Sequence, residues 1–161
     1  MALAKVISGA QTGVDRAALD AALAAGFPCG GWCPADRSAE RGAIPERYPM
    51  SLLTQGGSRQ RTLKNITDSD GTVILFNRAL TGGTKLTRDL CIREKKPFIV
   101  LDAAQIAIER AVKAVLRFIM ENDVRVLNVA GPRASGWPDG YGFALSIVSA
   151  VIERSTLAEA R

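Results

Sequence analysis

Three glycine-bearing segments carry most of the side chains suited to chemistry. The first, Ser8-Gly-Ala-Gln-Thr-Gly-Val-Asp-Arg16, presents Gly9, Ala10, Gln11, Thr12, Gly13, Asp15 and Arg16 between an apolar run and a helical one. Gly9 and Gly13 permit a turn and a close backbone approach. A helix starting there points free N–H groups and about half a positive charge at its occupant, which suits an anion. Asp15 repels a bare phosphate and is better used as a cap, a hydroxyl acceptor or the partner of a hydrated cation. The spacing is neither GxxxxGK[ST] nor a full GxGxxG. Taken only as a turn, it has Thr12 as helix cap and Asp15 closing a capping box.

The second segment, Leu80-Thr81-Gly82-Gly83-Thr84, sets two glycines between hydroxyls ahead of a helix containing Asp89 and Cys91. Two anion-binding helix termini could then face each other across a switch point; as a plain turn, Thr84 would cap the helix. The third segment, from Val129 to Tyr141, holds Gly131, Arg133 and Ser135. The planar fork of Arg133 suits a phosphate or carboxylate, Ser135 adds a hydroxyl, and Trp137 and Tyr141 are packing residues more readily than stacking platforms. Between Pro34 and Gly57, Arg37, Arg41 and Arg47 alternate with Asp36, Glu40 and Glu46. Such a mixed-sign stretch is a solvated surface, or a lid whose arginines close over a bound anion. Asp68 and Asp70 adjoin a strand start, where capping outweighs paired-carboxylate catalysis.

Composition removes many alternatives. With no histidine, Ser-His-Asp and Cys-His catalysis and His-ligated metals are excluded. Cys29, Cys33 and Cys91 are too few for a four-thiolate zinc site and odd in number for a disulfide framework. They read as small buried hydrophobes of a cytoplasmic protein with no structural metal. Lys plus Arg, 21, against Asp plus Glu, 16, leaves +5, which suits anionic small molecules. Nucleic acid would need a contiguous basic face that the scattered cations do not form. No apolar run reaches the roughly 18 residues of a membrane span, and Met1–Ser8 turns polar too early for a signal peptide.

The elements that must position these segments alternate. The length of 161 residues fits one domain, 1–161. Continuous apolar runs at Lys5–Ser8, Phe27–Trp32, Thr72–Phe76, Phe98–Leu101 and Arg125–Val129 predict strands covered on both faces. Helical spacing is carried by the small-residue stripe Val14, Ala17, Ala18, Ala21, Ala22 and Ala25, ended by Gly26, and by Arg59–Asp68, Thr84–Lys95, Ala104–Glu121 and Gly142–Arg154. In the fourth helix Ile108, Ala111, Val112, Val115 and Ile119 should face inward. The pattern predicts a doubly wound α/β fold: a three-layer, mostly parallel open sheet with helices on both faces and ligands beyond the carboxyl ends of the strands. Residues 34–57 form the one long irregular stretch.

Gly9-Ala-Gln-Thr-Gly-Val-Asp-Arg-Ala-Ala-Leu-Asp20, Trp32-Cys-Pro, Ile44-Pro-Glu-Arg-Tyr-Pro49, Asn65-Ile-Thr-Asp-Ser-Asp70, Thr81-Gly-Gly-Thr84 and Asn128-Val-Ala-Gly-Pro-Arg-Ala-Ser135 together resemble the family named for carriage of the molybdenum cofactor. That family looks like a branch of the Rossmann-like superfamily that also holds lysine-decarboxylase-like phosphoribohydrolases and the DNA-processing protein of transformation. The resemblance implies non-covalent binding of molybdopterin, or of another phosphorylated nucleotide-like ring, with Gly9, Gln11, Thr12, Gly13 and Asp15 and then Thr81–Thr84 on the phosphate side. It implies a carrier or sensor, with molybdoenzymes as recipients and a homo-oligomeric state. The alternative is N-glycosidic hydrolysis of nucleoside monophosphates by Asp15 or Asp89. The phosphoribohydrolases carry PGGxGTxxE with a catalytic Glu; here the loop is shorter, and the nearest acid past Thr84 is Asp89.

Overall fold

In a computed structural model, which describes residues 2–160, the predicted alternation is present. The elements are β1 (Lys5–Ile7), α1 (Val14–Ala24), β2 (Cys29–Gly30), β3 (Trp32–Pro34), β4 (Ser38–Ala39), β5 (Gly42–Ala43), β6 (Ser51–Leu53), α2 (Ser58–Thr67), β7 (Gly71–Phe76), α3 (Gly82–Arg93), β8 (Phe98–Asp102), α4 (Ile108–Glu121), β9 (Val126–Ala130) and α5 (Gly140–Glu159). The main sheet runs β2-β1-β9-β7-β8 with every pair parallel. Counted from β9 as first strand, then β1, β2, β7 and β8, this is the Rossmann order 3-2-1-4-5, with its opening strand and helix placed last in the chain. The topological switch point therefore lies between β9 and β7.

The sheet is Rossmann-like and three-layered because both of its faces are apolar. Val6, Val73, Leu75, Leu127 and Val129 pack against α1, α4 and α5, whereas Ile66 of α2 and Leu90 and Cys91 of α3 form a second cluster. The alanine stripe of α1 is buried from Val14 to Ala22 and lets α5 lie close beside it; Ala25 lies beyond the helix and is exposed. In α4, Ala111, Val112, Val115 and Ile119 face inward as expected. Ile108 instead stands 41% exposed at the first turn, and Phe118 fills the inner face.

Phe27–Trp32 is not one strand. Gly31, at φ 126°, turns the chain out of the main sheet, so that β3 pairs with β6 instead. Asn65 of α2 holds the departing chain, accepting from the Trp32 N–H at 2.8 Å and donating to the Trp32 carbonyl at 3.1 Å. The 34–57 stretch is likewise built rather than irregular. Ile44 and Tyr48 pack with Ala10, Leu19 and Cys33 in a small core of their own. A Cβ at Gly31 would lie 2.1 Å from the Ser8 carbonyl oxygen. Gly31→Ala should therefore cost about 3 kcal/mol or more through overpacking and backbone strain. Urea denaturation checks this, and a loss under about 1 kcal/mol would mean that the chain can leave β1 without that close approach.

Candidate functional site

The loops after β7 and β9 part at the switch point and leave a cleft of about 560 Å³. Of the residues singled out in the sequence, Gln11, Asp15, Thr81, Gly82, Gly83, Thr84, Gly131, Arg133 and Ser135 line it. Ala10, Thr12, Gly13 and Arg16 do not line it, Arg16 donating to the Ala10 carbonyl and lying over the Tyr48 ring, while Gly9 borders a smaller cavity of about 30 Å³, which shares Asp15, Arg61 and Thr62 with the cleft. That volume is about one water's share of the liquid.

The start of α1 departs from the capping expectation. Its N-cap is Gly13, at φ 85°, with no side-chain cap. A Cβ there would lie 2.7 Å from the Pro132 carbonyl and 2.9 Å from the Ala134 N, so this helix end is closed by the β9–α5 loop. The Thr12 hydroxyl does not cap. It accepts from the Ala134 N–H at 3.1 Å and donates to Glu40 at 2.6 Å. The Asp15 carboxylate turns back to accept from the Gln11 N–H at 3.3 Å. Two of the chain's own carboxylates thus occupy this loop, Asp15 on the Gln11 N–H and Glu40 on the Thr12 hydroxyl.

Those carboxylates are in opposite environments. Burial pushes the Asp15 carboxyl up to about 6, against the pull of Arg61, of the Gln11 and Gly9 N–H groups and of Arg16. Hydrogen bonds from Ser135 and Thr12, with Arg133 nearby, hold the Glu40 carboxyl down at about 2. The Arg61 side chain projects from α2 beside Gly9 and Asp15, half-buried, with its charge acting on the Asp15 carboxyl. A partly desolvated cation in a cleft is a ready counter-charge for an anion.

The start of α3 is the opposite of that of α1. Thr81 is its N-cap and Thr84 lies inside the helix, so Thr84 does not cap. No side chain caps this end, and the Cβ positions of Gly82 and Gly83 face open space. Free backbone donors and the helix dipole meet the cleft there with no carboxylate in place.

The remaining candidates are placed elsewhere. Arg37 donates to the carbonyls of Ile44, Pro45 and Tyr48, and Arg47 stacks over the Tyr48 ring, so neither closes over the cleft. Tyr48 and Tyr141 both donate to Asp20, and Trp137 packs on Phe143 while touching the cleft. Asp68 accepts from the Trp32 indole and Asp70 from the Arg125 and Val126 N–H groups, which are capping and bridging roles. Asp89 pairs with Arg88 on an exposed part of α3 outside the cleft. Cys33 and Cys91 are buried and Cys29 half-buried, all three thiols pushed up by burial.

Sequence reasoning missed Arg61, Asn65 and the role of Glu40. Arg61 and Asn65 stand four apart on α2 and so share a face, a spacing that could have marked them. Nothing local marks Glu40, whose partners are 28 and 95 residues away.

The sequence profile of the circularly permutated YpsA SLOG family matches residues 6–152. The crystal structure at 1.45 Å named "Putative molybdenum carrier protein", from Syntrophus aciditrophicus SB, superimposes with a TM-score of 0.91 at 40% sequence identity. It covers 94% of this chain and 96% of its own. No curated protein matches the chain.

The raised Asp15 value fixes a sign. A carboxyl moved from 3.8 to about 6 by folding gives stability that is present below pH 3.8 and is lost as pH rises through about 6. The loss amounts to about 3 kcal/mol at neutral pH. Asp15→Asn should therefore be more stable than the parent at pH 7.5 by about 1–3 kcal/mol, with the difference vanishing near pH 4. Urea denaturation across pH measures it; parallel pH profiles for the two proteins would show a solvated carboxyl instead.

Proposed function

Because the chain belongs to the circularly permutated YpsA SLOG family, we propose that its cleft binds one phosphorylated, ring-bearing ligand non-covalently and that the chain carries a molybdopterin-type cofactor. A related protein's name states molybdenum carriage of that protein. The observation that carries the reading is the uncapped start of α3, where Gly82, Gly83 and Thr84 offer backbone donors to the cleft. The phosphate seats there. Arg61 supplies the counter-charge from α2, and Arg133 approaches from the β9–α5 loop with its side chain 59% exposed. The cleft volume is in the range of sites for ligands of this size. Its lining offers hydrogen-bond donors and cations, and none of the three cysteines borders it, which suits a cargo whose metal is held by its own ring system. Molybdoenzymes would be the recipients, and a homo-oligomer the working form.

A specific observation favours a second reading. Asp15, with a carboxyl near 6 at the cleft floor beside Arg61, is poised as a general acid or base for hydrolysis of a nucleoside monophosphate. Asp89, the other acid considered for that role, is too remote.

Titration calorimetry with AMP and with molybdenum cofactor tests the site. Arg61→Ala should weaken binding by about 1.5–3 kcal/mol, the range for hydrogen bonds to charged groups. Gly83→Val should abolish binding with the fold retained, since the added side chain meets open space in the protein and only the ligand would clash. The carrier should lengthen the cofactor's lifetime in air and release no free base from AMP. Release of base that disappears in Asp15→Asn would establish the hydrolase instead, and unchanged affinity in both Arg61→Ala and Gly83→Val would remove the site.

A further inference from the structure

One acidic side chain, Glu40, crosses from the long 34–57 stretch to the residues of the cleft wall. Glu40 and Arg41 form the two-residue tip of a hairpin whose strands pair Ser38 with Ala43 and Ala39 with Gly42. A lone two-stranded hairpin is at best marginally stable in water, so its anchors decide where it sits. Its base is tied down by Arg37, which donates to the Ile44, Pro45 and Tyr48 carbonyls at 3.1, 2.8 and 3.1 Å. Beside Ala39, which rests on the small core of Ile44 and Tyr48, the tip is held by the hydrogen bonds of Glu40, whose N–H donates to the Gln11 side-chain oxygen at 2.9 Å.

The Glu40 carboxylate in turn collects donors from two loops. The Thr12 hydroxyl reaches one oxygen at 2.6 Å and the Ser135 N–H reaches the same oxygen at 3.1 Å. The Ser135 hydroxyl donates to the other oxygen, and the Arg133 Nε lies 3.9 Å away. The side chain is only 11% exposed. Two hydroxyls, a backbone N–H and a guanidinium converging on one pair of oxygens are the donor set of an oxyanion seat. Here that seat is filled from within the chain. Ser135 and Arg133 also line the cleft, so a ligand with a second anionic group meets the same donors from the other side.

We propose that the 38–43 hairpin is a displaceable arm, and that Glu40 is an internal ligand for a phosphate-type oxyanion seat made by Thr12, Ser135 and Arg133, which an external oxyanion occupies by releasing the arm. The inference deepens the cleft-binding reading above and rests on it for the ligand's anionic class. It makes the preferred ligand one with two anionic ends, the first at the start of α3 and the second in the seat. The low Glu40 value agrees, since the arm's carboxylate stays ionised at neutral pH and yields only to a competing anion.

Inorganic phosphate is the probe. In the parent, saturating phosphate should raise hydrogen exchange of the 38–44 amides and of Ser135 at least tenfold, because the latch opens. Glu40→Gln, which keeps the shape and removes the charge, should bind phosphate at least tenfold more tightly than the parent. Adding Ser135→Ala should remove that gain. In the Gly83→Val background the gain should persist, because the seat is separate from the start of α3. Exchange at 38–44 that is unchanged or slowed by bound phosphate, or a Glu40→Gln protein with parental affinity, would make Glu40 a fixed strut and overturn the proposal. The exchange measurement needs no variant and decides the question if Glu40→Gln folds poorly. A gain in Glu40→Gln with AMP binding intact in Gly83→Val would remove the α3 site alone; loss of AMP binding in Gly83→Val with no gain in Glu40→Gln would remove the arm alone.

Discussion

The approach of the β9–α5 loop to the start of α1 is the contact on which the site depends. Gly13 leaves room for Pro132 and Ala134, and Gly131 leaves room for the Leu75 carbonyl and the Val14 side chain, where a Cβ would come within 2.7 Å. Backbone therefore lies on backbone along a seam joining the first and last strand-helix loops of the chain. This seam sets Arg133 and Ser135 into the cleft and closes the end of α1 that would otherwise receive an anion. It leaves the start of α3 as the open terminus. The permuted strand order makes the seam possible, because it brings β9 next to both β1 and β7.

Charge in the site follows from which groups are answered inside the chain. Asp15 keeps a carboxyl where burial disfavours its charge, and Glu40 keeps one where three hydrogen-bond donors and the nearby Arg133 charge favour it. An acid held against desolvation weakens the fold at neutral pH, and such groups gather at functional sites. The cations are distributed the other way: Arg37 and Arg47 are used up in holding the long stretch, while Arg61 is left facing the cleft. The cation that faces the cleft comes from that distribution rather than from the net charge of the whole chain.

Much of the fold was legible because its signals are local. The unbroken apolar run at Thr72–Phe76 reads as a strand covered on both faces and is one, Phe98–Leu101 reads likewise but lies at the sheet edge with Val100 exposed, and the small-residue stripe of α1 reads as a closely packed helix. The glycine loops were legible for the same reason, and nine of the fourteen residues they and the third segment supplied do line the cleft. What failed locally was contradicted by long-range contact. Phe27–Trp32 reads as one strand, yet Gly31 is bent against Ser8 and Trp32 is taken by Asn65. Thr12 reads as a cap, yet its hydroxyl is claimed by Ala134 and Glu40.

By itself the sequence determined the alternation of strands and helices, most residues of the core faces and the positions of the glycine turns. These follow from periodicity and from backbone freedom, both properties of neighbouring residues. Only the tertiary structure decided which helix terminus stays open, which arginine faces the cleft and which acid is buried. Those depend on the solvent exclusion and the partners that each group meets after the chain closes. Glu40 makes the point: its ionisation is governed by Thr12, Ser135 and Arg133, residues that come within reach only when the first and last loops meet.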